Sequence, residues 1–248
     1  MTISIPKPKH VSLQIPKNAH GRQLVIPDIH GCLLSLKALL DKVKFSKHDQ
    51  LFLLGDYIDK GTNSVGVLDL LIELRENDYQ IFALQGNHEE MLLEKHHRML
   101  KKNYTTAELL LPHLRKNHGI VDGTRKILPK YYDFICNMPY FYELENHFLV
   151  HAGFNLSIPN PFIDFTTMLW VRDFGVTTVE QKRIFNNKTV IFGHNPTFLQ
   201  FIEQDILEQR PAICLDNGCV FSSKHFLGNL LCLDLETMQL VIQQNIDN

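Results

Sequence analysis

The chain has 248 residues, of which 44% are apolar and 21% charged, proportions that fit a globular protein and exclude wholesale disorder. Its 25 basic and 27 acidic residues leave a net charge of −2, so no basic surplus indicates a nucleic-acid or anionic-membrane partner. No segment is apolar for long enough to span a bilayer, and the N-terminus lacks a signal-peptide pattern. Five scattered cysteines without a CxxC pair indicate reduced thiols, so we expect a cytoplasmic protein.

The first half of the chain alternates short apolar runs with segments of helical spacing. Residues 1–22 are expected to form an extended leader ahead of one domain over 23–248. Strands are predicted over 23–27, 51–54 and 80–84, and a helical pattern follows each of them. Three strand–helix units in a row predict a parallel sheet with crossover helices.

The second half is predicted to be richer in strands. Residues 91–138 are mostly helical in pattern, and 141–154 resemble a hairpin with a polar turn. A further strand is predicted at 190–192. Beyond it, four short apolar runs (FLQFI, PAICLD, LLCLDL and QLVIQQ) favour strands over helices. We therefore expect one domain with an α/β first half and a strand-rich second half.

Five predicted strands end in residues that can bind a metal ion. The side chains are carboxylates, imidazoles and one amide, and a glycine lies close to each group, which lets the backbone turn sharply. Ligands of open α/β sheets bind outside the carboxyl ends of the strands, so we expect these groups to meet at one edge of one sheet. They are Asp28 and His30, Asp56 and Asp59, Asn87 and His88, His151, and His194.

Each group taken alone also has an ordinary structural explanation. Asp28 is typical of a turn in which a carboxylate accepts backbone N–H groups. Asn87 is a good N-cap, and Glu89 suits the N-terminus of a helix. His151 is compatible with a hydrogen-bonded core histidine. The joint occurrence at five strand ends favours a metal site over these separate explanations.

Together the motifs resemble those of the metallophosphoesterases, and within them the phosphoprotein phosphatases (serine/threonine phosphatases) of small bacterial type. The matching stretches are DIHG at 28–31, GDYIDKG at 55–61, GNHE at 86–89, HAG at 151–153, GHN at 193–195 and LDNGC at 215–219. The resemblance implies an α/β, calcineurin-like metallophosphoesterase fold. It further implies two packed mixed β-sheets flanked by helices, with a βαβαβ metal-binding core.

The resemblance also implies two divalent metal ions, with manganese as the first choice and iron or zinc as alternatives. Oxygen and nitrogen donors without thiolate suit these metals. A hydroxide that bridges the two ions would attack phosphorus directly. Asp28, His30 and Asp56 would hold the first ion, Asp56 would bridge to the second, and Asn87, His151 and His194 would complete the second.

Four further residues are assigned roles by the resemblance. His88 would act as the general acid, oriented by Asp59, although a turn or helix cap is the alternative for Asp59. Arg172 would bind phosphate, with a buried ion pair to Asp173 or another acid as its alternative. Lys60 stands where the family has arginine. Lysine keeps the positive charge but lacks the planar guanidinium group, so we expect it to bind phosphate more weakly.

The substrate is less specified than the chemistry. The first expectation is a protein serine/threonine phosphatase acting on a phosphoprotein or phosphopeptide, or on small phosphate esters, because Asp59 matches that branch. The alternative is a symmetrical dinucleoside tetraphosphate hydrolase, a related branch that usually lacks this second acid. A third expectation, from another class, is a non-catalytic metal-binding scaffold. The intact set of candidate ligands argues against that scaffold.

Overall fold

A computed structural model describes residues 11–101, 119–124, 126–221 and 226–247. Within these ranges ten strands form two five-stranded mixed sheets. The first sheet has the order β10-β9-β2-β3-β4, and the second has the order β1-β5-β6-β7-β8. The strands are β1 Ser12–Gln14, β2 Gln23–Ile26, β3 Gln50–Leu53, β4 Gln80–Ala83, β5 Phe141–Glu143, β6 His147–Val150, β7 Thr189–Phe192, β8 Ala212–Cys214, β9 Asn229–Asp234 and β10 Leu240–Gln244.

Helices connect and flank the two sheets. The described helices are α1 Leu33–Lys42, α2 Ser64–Glu76, α3 Asn87–Leu100, α4 Pro129–Cys136, α5 Phe165–Trp170, α6 Thr178–Phe185 and α7 Leu199–Leu207, with a 3₁₀ turn at Pro161–Ile163. No helix in the described ranges has both the length and the apolar composition needed to cross a membrane.

The parallel strands β2, β3 and β4 carry apolar residues on both faces, which is typical of a sheet covered on both sides. Leu24 and Leu51 on one face pack with helix residues such as Leu36 and form the first core cluster. Residues on the opposite face pack against the second sheet and form the layer between the sheets, which includes Val25, Phe52, Tyr142, Leu149, Ile191 and Ile213. An aromatic cluster beneath α5 and α6 covers the outer face of the second sheet.

Most of the predicted elements are confirmed. The three strand–helix units are present and parallel, and β5 and β6 form the expected antiparallel hairpin. The two packed mixed sheets match the fold that the resemblance implied. Residues 102–118, within the segment expected to be mostly helical, lie outside the described residues, as do residues 1–10 of the expected leader. Ser12–Gln14 of that leader pairs with β5 as an edge strand.

Two expectations are wrong. The run FLQFI was expected to be a strand, but Leu199–Leu207 is helix α7. Ile202 is buried and Ile206 packs beside it, while Phe201 is exposed, so the apolar residues have helical spacing that a five-residue run cannot show. The strand ends were also expected to belong to one sheet, but β2, β3 and β4 lie in the first sheet whereas β6 and β7 lie in the second.

Candidate dinuclear metal centre

The predicted site residues come from the ends of strands in both sheets. Asp28 and His30 follow β2, Asp56 follows β3, and Asn87 begins α3 directly after the loop that leaves β4. The second sheet contributes the residues that follow β6 and β7, which are His151 and His194. All six are buried, with exposed fractions of 6% or less. The site therefore lies where the carboxyl ends of the two sheets meet, rather than at the edge of one sheet.

The loops that carry these residues are tightly bound to one another. The backbone N–H of His30 donates to the carbonyl of Asp56 at 2.8 Å, and Gly193 N–H donates to the carbonyl of His151 at 2.8 Å. His30, Asp56 and His194 all have positive φ angles, at 48°, 54° and 69°. This backbone conformation costs roughly 1–2 kcal/mol per residue, and strain of this kind is concentrated at functional sites.

Asp56 belongs to two overlapping groups of candidate ligands. Its Oδ2 atom is 3.4 Å from Nε2 of His30 and 3.9 Å from Nε2 of His88. Its Oδ1 atom is 3.6 Å from Nε2 of His151, and His194 completes that second group. Within each group the ligand atoms lie within 4.8 Å of one another. A carboxylate shared between two groups has the geometry expected of a ligand that bridges two cations.

The hydrogen bonds of the second group fit a cation. Nδ1 of His151 is 2.9 Å from the carbonyl of Leu54, so this ring nitrogen carries the proton and Nε2 presents its lone pair inward. The Asn87 amide oxygen lies 2.9 Å from that Nε2 and 3.1 Å from Nδ1 of His194, and it faces only acceptors. Nε2 of His194 is buried without a partner among the described residues. Two arrangements would satisfy these atoms. Either the Asn87 amide is flipped and its N–H groups donate to the two imidazole nitrogens, or a divalent cation binds where the amide oxygen and the imidazole lone pairs converge.

Asp28 lies at the side of the first group. Its Oδ1 atom accepts the backbone N–H of His194 at 3.0 Å, and its Oδ2 atom is 3.8 Å from Nε2 of His30. Burial raises the pKa of Asp28 well above its ordinary value, and the charges of Asp216 and Asp56 raise it further. A bound cation would relieve this repulsion by favouring the ionised carboxylates.

Sequence reasoning gave Asp216 no role, although its motif LDNGC was noted. This residue is 3% exposed, follows β8 and accepts the backbone N–H of Gly218 at 2.7 Å. Burial raises the pKa of Asp216 to about 6. The available signal was its position, because an acid two residues after a predicted strand repeats the pattern of the other strand ends.

His88, which belongs to the first group, forms a hydrogen-bonded pair with Asp59. Nδ1 of His88 lies 2.7 Å from Oδ2 of Asp59, so Nε2 of His88 faces Asp56. Burial opposes the charged imidazolium, but the hydrogen bond to Asp59 and the nearby carboxylate charges together outweigh burial and raise the pKa of His88. The helix-cap alternative for Asp59 is wrong, because Asn63 is the N-cap of α2 and accepts from Gly66 N–H.

Glu89 connects the site loops to α3. Its carboxylate accepts the backbone N–H groups of Asp56 and Tyr57, both at 2.9 Å, and that of Gly86 at 3.1 Å. The expected location at a helix N-terminus is confirmed, and the bonds to the β3 loop are an additional role. Gly86 permits this close approach, since a Cβ atom there would lie 2.3 Å from the backbone nitrogen of Asp56.

The two predicted phosphate-binding residues lie on different sides of the site. Nζ of Lys60 is 2.7 Å from Nε2 of His30, so its ammonium lies directly at the first ligand group. Arg172 is exposed, and its Nη1 atom is 3.5 Å from Oδ1 of Asn195. Arg172 forms no ion pair with Asp173 or with any other acid in the described part of the chain. The ion pair that was the alternative role for this arginine is therefore not observed.

Comparisons with known proteins agree with this architecture. The family profile described as calcineurin-like phosphoesterase matches residues 21–224. The symmetrical bis(5'-nucleosyl)-tetraphosphatase of Wigglesworthia glossinidia brevipalpis is 34% identical over 116 residues, 42% of each chain. That of Pseudomonas fluorescens strain SBW25 is 34% identical over 131 residues, 52% of this chain and 41% of its own. The matches thus span about two fifths of the length of these curated relatives.

Solved structures resemble the protein over nearly its whole length. A crystal structure described as that of a candidate diadenosine tetraphosphatase has a TM-score of 0.65 at 22% identity, and covers 96% of this chain and 100% of its own. A serine/threonine phosphatase from Saccharomyces cerevisiae has a TM-score of 0.57 at 15% identity, and covers 98% of this chain and 85% of its own. At these identities the likeness shows the fold. Because the family profile matches most of its length, the chain belongs to the calcineurin-like phosphoesterase family.

Proposed function

We propose that the protein is a metal-dependent hydrolase of phosphate esters and anhydrides, with symmetrical dinucleoside tetraphosphates as its first substrate class. The observation that carries the hydrolase proposal is Asp56, whose carboxylate is shared between two buried groups of nitrogen and oxygen donors. The substrate class rests on the curated relatives, which are symmetrical bis(5'-nucleosyl)-tetraphosphatases. They favour the dinucleotide over the protein phosphatase that sequence analysis had placed first.

The proposed ligands are the six buried residues that the two sheets bring together. Two divalent ions bound there would supply Lewis-acid activation of water and neutralisation of phosphate charge. Manganese remains our first choice, with iron or zinc as alternatives, because the donors are oxygen and nitrogen. The ligands are Asp28, His30, Asp56, Asn87, His151 and His194.

The chain's own groups account for proton transfer and phosphate orientation. In the proposed reaction one water adds to a central phosphorus, the bond between the two central phosphates breaks, and two nucleoside diphosphates leave. His88 would give the departing oxygen its proton from Nε2, while Asp59 holds Nδ1. Arg172 and Lys60 would orient the phosphate oxygens from opposite sides.

A protein serine/threonine phosphatase is the second candidate, and the 2.7 Å contact between His88 and Asp59 favours it. A serine or threonine alkoxide is a far more basic leaving group than a nucleoside diphosphate. The departure of an alkoxide therefore depends more strongly on an oriented general acid. The presence of this pair is the reason to test both substrate classes together.

The test compares hydrolysis of diadenosine tetraphosphate and of a phosphoserine peptide by protein loaded with Mn²⁺. We expect the higher kcat/KM for the dinucleotide, with ADP as the sole nucleotide product on anion-exchange chromatography. ATP plus AMP would contradict the symmetrical cut. Faster turnover of the phosphopeptide would replace the first candidate by the second. Metal binding without hydrolysis of either substrate would favour the scaffold.

A further inference from the structure

A cavity of about 370 Å³ opens beside the metal centre, on the side of Arg172. It lies between the loop that follows α5 and the ends of β7 and β8, and α7 contributes one wall. Arg172 and Asn195 form its boundary with the metal centre. Nδ2 of Asn195 donates to the carbonyl of Arg172 at 2.6 Å, and Asn195 directly follows the candidate ligand His194. A molecule bound at the candidate metal centre would reach this cavity if it extended past Arg172.

The walls of the cavity combine two phenyl rings, two arginines and two aspartates, and one of the aspartates, Asp205, lies 3.9 Å from Nε of Arg210. Phe174 and Phe192 pack edge to face with ring centroids 5.1 Å apart, and both line the cavity. Arg210 lines the far side, with its Nε atom 2.8 Å from a carboxylate oxygen of Glu208. Arg172 has no acidic partner among the described residues, so its guanidinium is available to an anion. This arrangement suits a ligand with an anionic end towards Arg172 and an aromatic end among the phenyl rings.

The volume and the position of the cavity limit the kinds of ligand that can bind in it. Its volume falls within the range of roughly 300–1,000 Å³ that is typical of small-molecule sites. A tetraphosphate cut at its centre leaves two phosphates and one nucleoside on each side of the reacting bond. A nucleoside joined to phosphates held near Arg172 would place its base in the aromatic part of the cavity, where it can stack on a phenyl ring.

We propose that this cavity is a nucleoside subsite, which binds the base and ribose of a polyphosphate substrate whose phosphates lie between the metal centre and Arg172. The inference rests on the proposed function, because it names where one half of the dinucleotide substrate binds.

Gly175 provides a variant that fills the cavity. It lines the cavity, and a Cβ atom built on it meets no atom within 4 Å, so a larger side chain is accommodated without a backbone clash. Gly123 also has open space around it and lies elsewhere, so Gly123→Trp is the matched control. We expect Gly175→Trp to raise the KM for diadenosine tetraphosphate by about tenfold, which corresponds to the loss of about 1.4 kcal/mol of binding free energy. Gly175→Ala and Gly123→Trp should remain near the parent value.

An aryl phosphate and two diphosphates separate this inference from the proposed function. p-Nitrophenyl phosphate does not extend past Arg172, so Gly175→Trp should leave its KM within about twofold of the parent value. In calorimetric titrations of the parent protein, ADP should bind about tenfold more tightly than pyrophosphate, and Gly175→Trp should abolish that preference.

The possible results lead to different conclusions. If the dinucleotide is not hydrolysed but ADP is preferred over pyrophosphate and Gly175→Trp removes the preference, the proposed function fails and the subsite stands. Equal binding of ADP and pyrophosphate by the parent protein overturns the subsite. The subsite is also overturned if Gly175→Trp changes the KM for a phosphopeptide but leaves ADP binding unchanged.

Discussion

At the scale of single residues, the contact between His88 and Asp59 would decide how the proposed hydrolase protonates its leaving group. Asp59 accepts from one ring nitrogen and leaves the other directed towards the metal centre. The bond also raises the pKa of His88 against the opposing effect of burial, which favours the protonated ring that a general acid needs. A general acid contributes most where the departing oxygen is most basic.

We expect His88→Asn to lower kcat by about 10²- to 10⁴-fold for an alkyl phosphate and by less for an aryl phosphate, whose leaving group is stable without protonation. Asp59→Asn should show the same trend with a smaller loss. The measurement is kcat for a series of esters with increasing leaving-group pKa. Asp78→Asn, on the exposed surface, is the control. A loss that is equal across the series would mean that His88 acts by orienting substrate rather than by giving a proton.

Lys60 permits a second prediction at this scale. Its Nζ atom contacts the ring of His30, so a phosphate bound at the first ligand group would lie within its reach. Lys60→Arg would introduce a planar fork that can donate two parallel hydrogen bonds. We expect the KM for phosphate esters to fall about threefold with kcat little changed. The surface variant Lys37→Arg should have no effect, and an unchanged or raised KM for Lys60→Arg would show that this side chain does not hold substrate.

At the scale of elements, one ion pair joins the starts of the two central strands. Asp49 precedes β3 and accepts from Nε and Nη2 of Arg22, the residue before β2, at 3.0 and 2.9 Å. The same guanidinium donates to the carbonyl of Val43 at the end of α1. Asp49 is 4% exposed, and Ser46 also donates to its carboxylate. These bonds fix the register of β2 against β3, and so the positions of the two loops that follow these strands and carry candidate ligands.

The pH dependence of unfolding tests this ion pair. Burial alone would raise the pKa of Asp49, but its hydrogen bonds with Arg22 and Ser46 lower it to about 2. A folded pKa below the ordinary value of 3.8 means that the stabilisation is complete at neutral pH and is lost as the pH falls from about 4 towards 2. We expect Asp49→Asn to lower the free energy of unfolding by about 1–2 kcal/mol at pH 7, since water screens the half-exposed Arg22.

Denaturant titrations at pH 7 and pH 3 measure this effect. The difference between the parent and Asp49→Asn should shrink at pH 3, because Asp49 with its ordinary pKa of 3.8 is then mostly protonated in the unfolded chain, whereas it is still ionised in the folded protein. Asp69→Asn removes the exposed ion pair with Lys130 and should cost less at both pH values. A constant difference for Asp49→Asn would show that packing, and not the charge, carries the stabilisation.

Sequence patterns could predict the elements that are defined locally. The strands β2, β3 and β4 are continuous apolar runs, and the helices after them show periodic spacing, so the βαβαβ half was predictable. Helix α7 was not, because the apolar run beginning at Phe198 is shorter than two helical turns and its buried face continues to Ile206 beyond the run. The division into two sheets depends on packing between distant residues such as Val25 and Ile191, which no local pattern encodes.

The candidate site, like the fold, was predictable only where local sequence patterns define it. Residues next to glycine at strand ends identified the candidate ligands, since that combination is a local signal. The location of Lys60 against His30 depends on how two loops meet, as does the approach of Asp28 to Asp216. Neither contact has a counterpart in sequence spacing.

At the scale of the whole molecule, the candidate metal centre draws its residues from both sheets. The first ligand group is built from the first sheet alone, whereas the second combines Asp56 with His151 and His194 from the second sheet. Ions that bind only the folded protein stabilise it, by about 2.7 kcal/mol at 100 times the dissociation constant. Chelation should therefore lower the melting temperature of the parent protein, and it should have no effect on a variant that binds neither ion.

The number of bound ions tests the bridging role of Asp56. If its carboxylate is shared, Asp56→Asn should reduce the metal content of protein equilibrated with Mn²⁺ from about two ions to near zero. His30→Ala should remove only the first ion and His194→Ala only the second, so each retains about one. His20→Ala, at an exposed histidine, should keep both. Elemental analysis after gel filtration gives the counts. Asp56→Asn that still holds one ion or more would mean that the two ligand groups do not share this carboxylate.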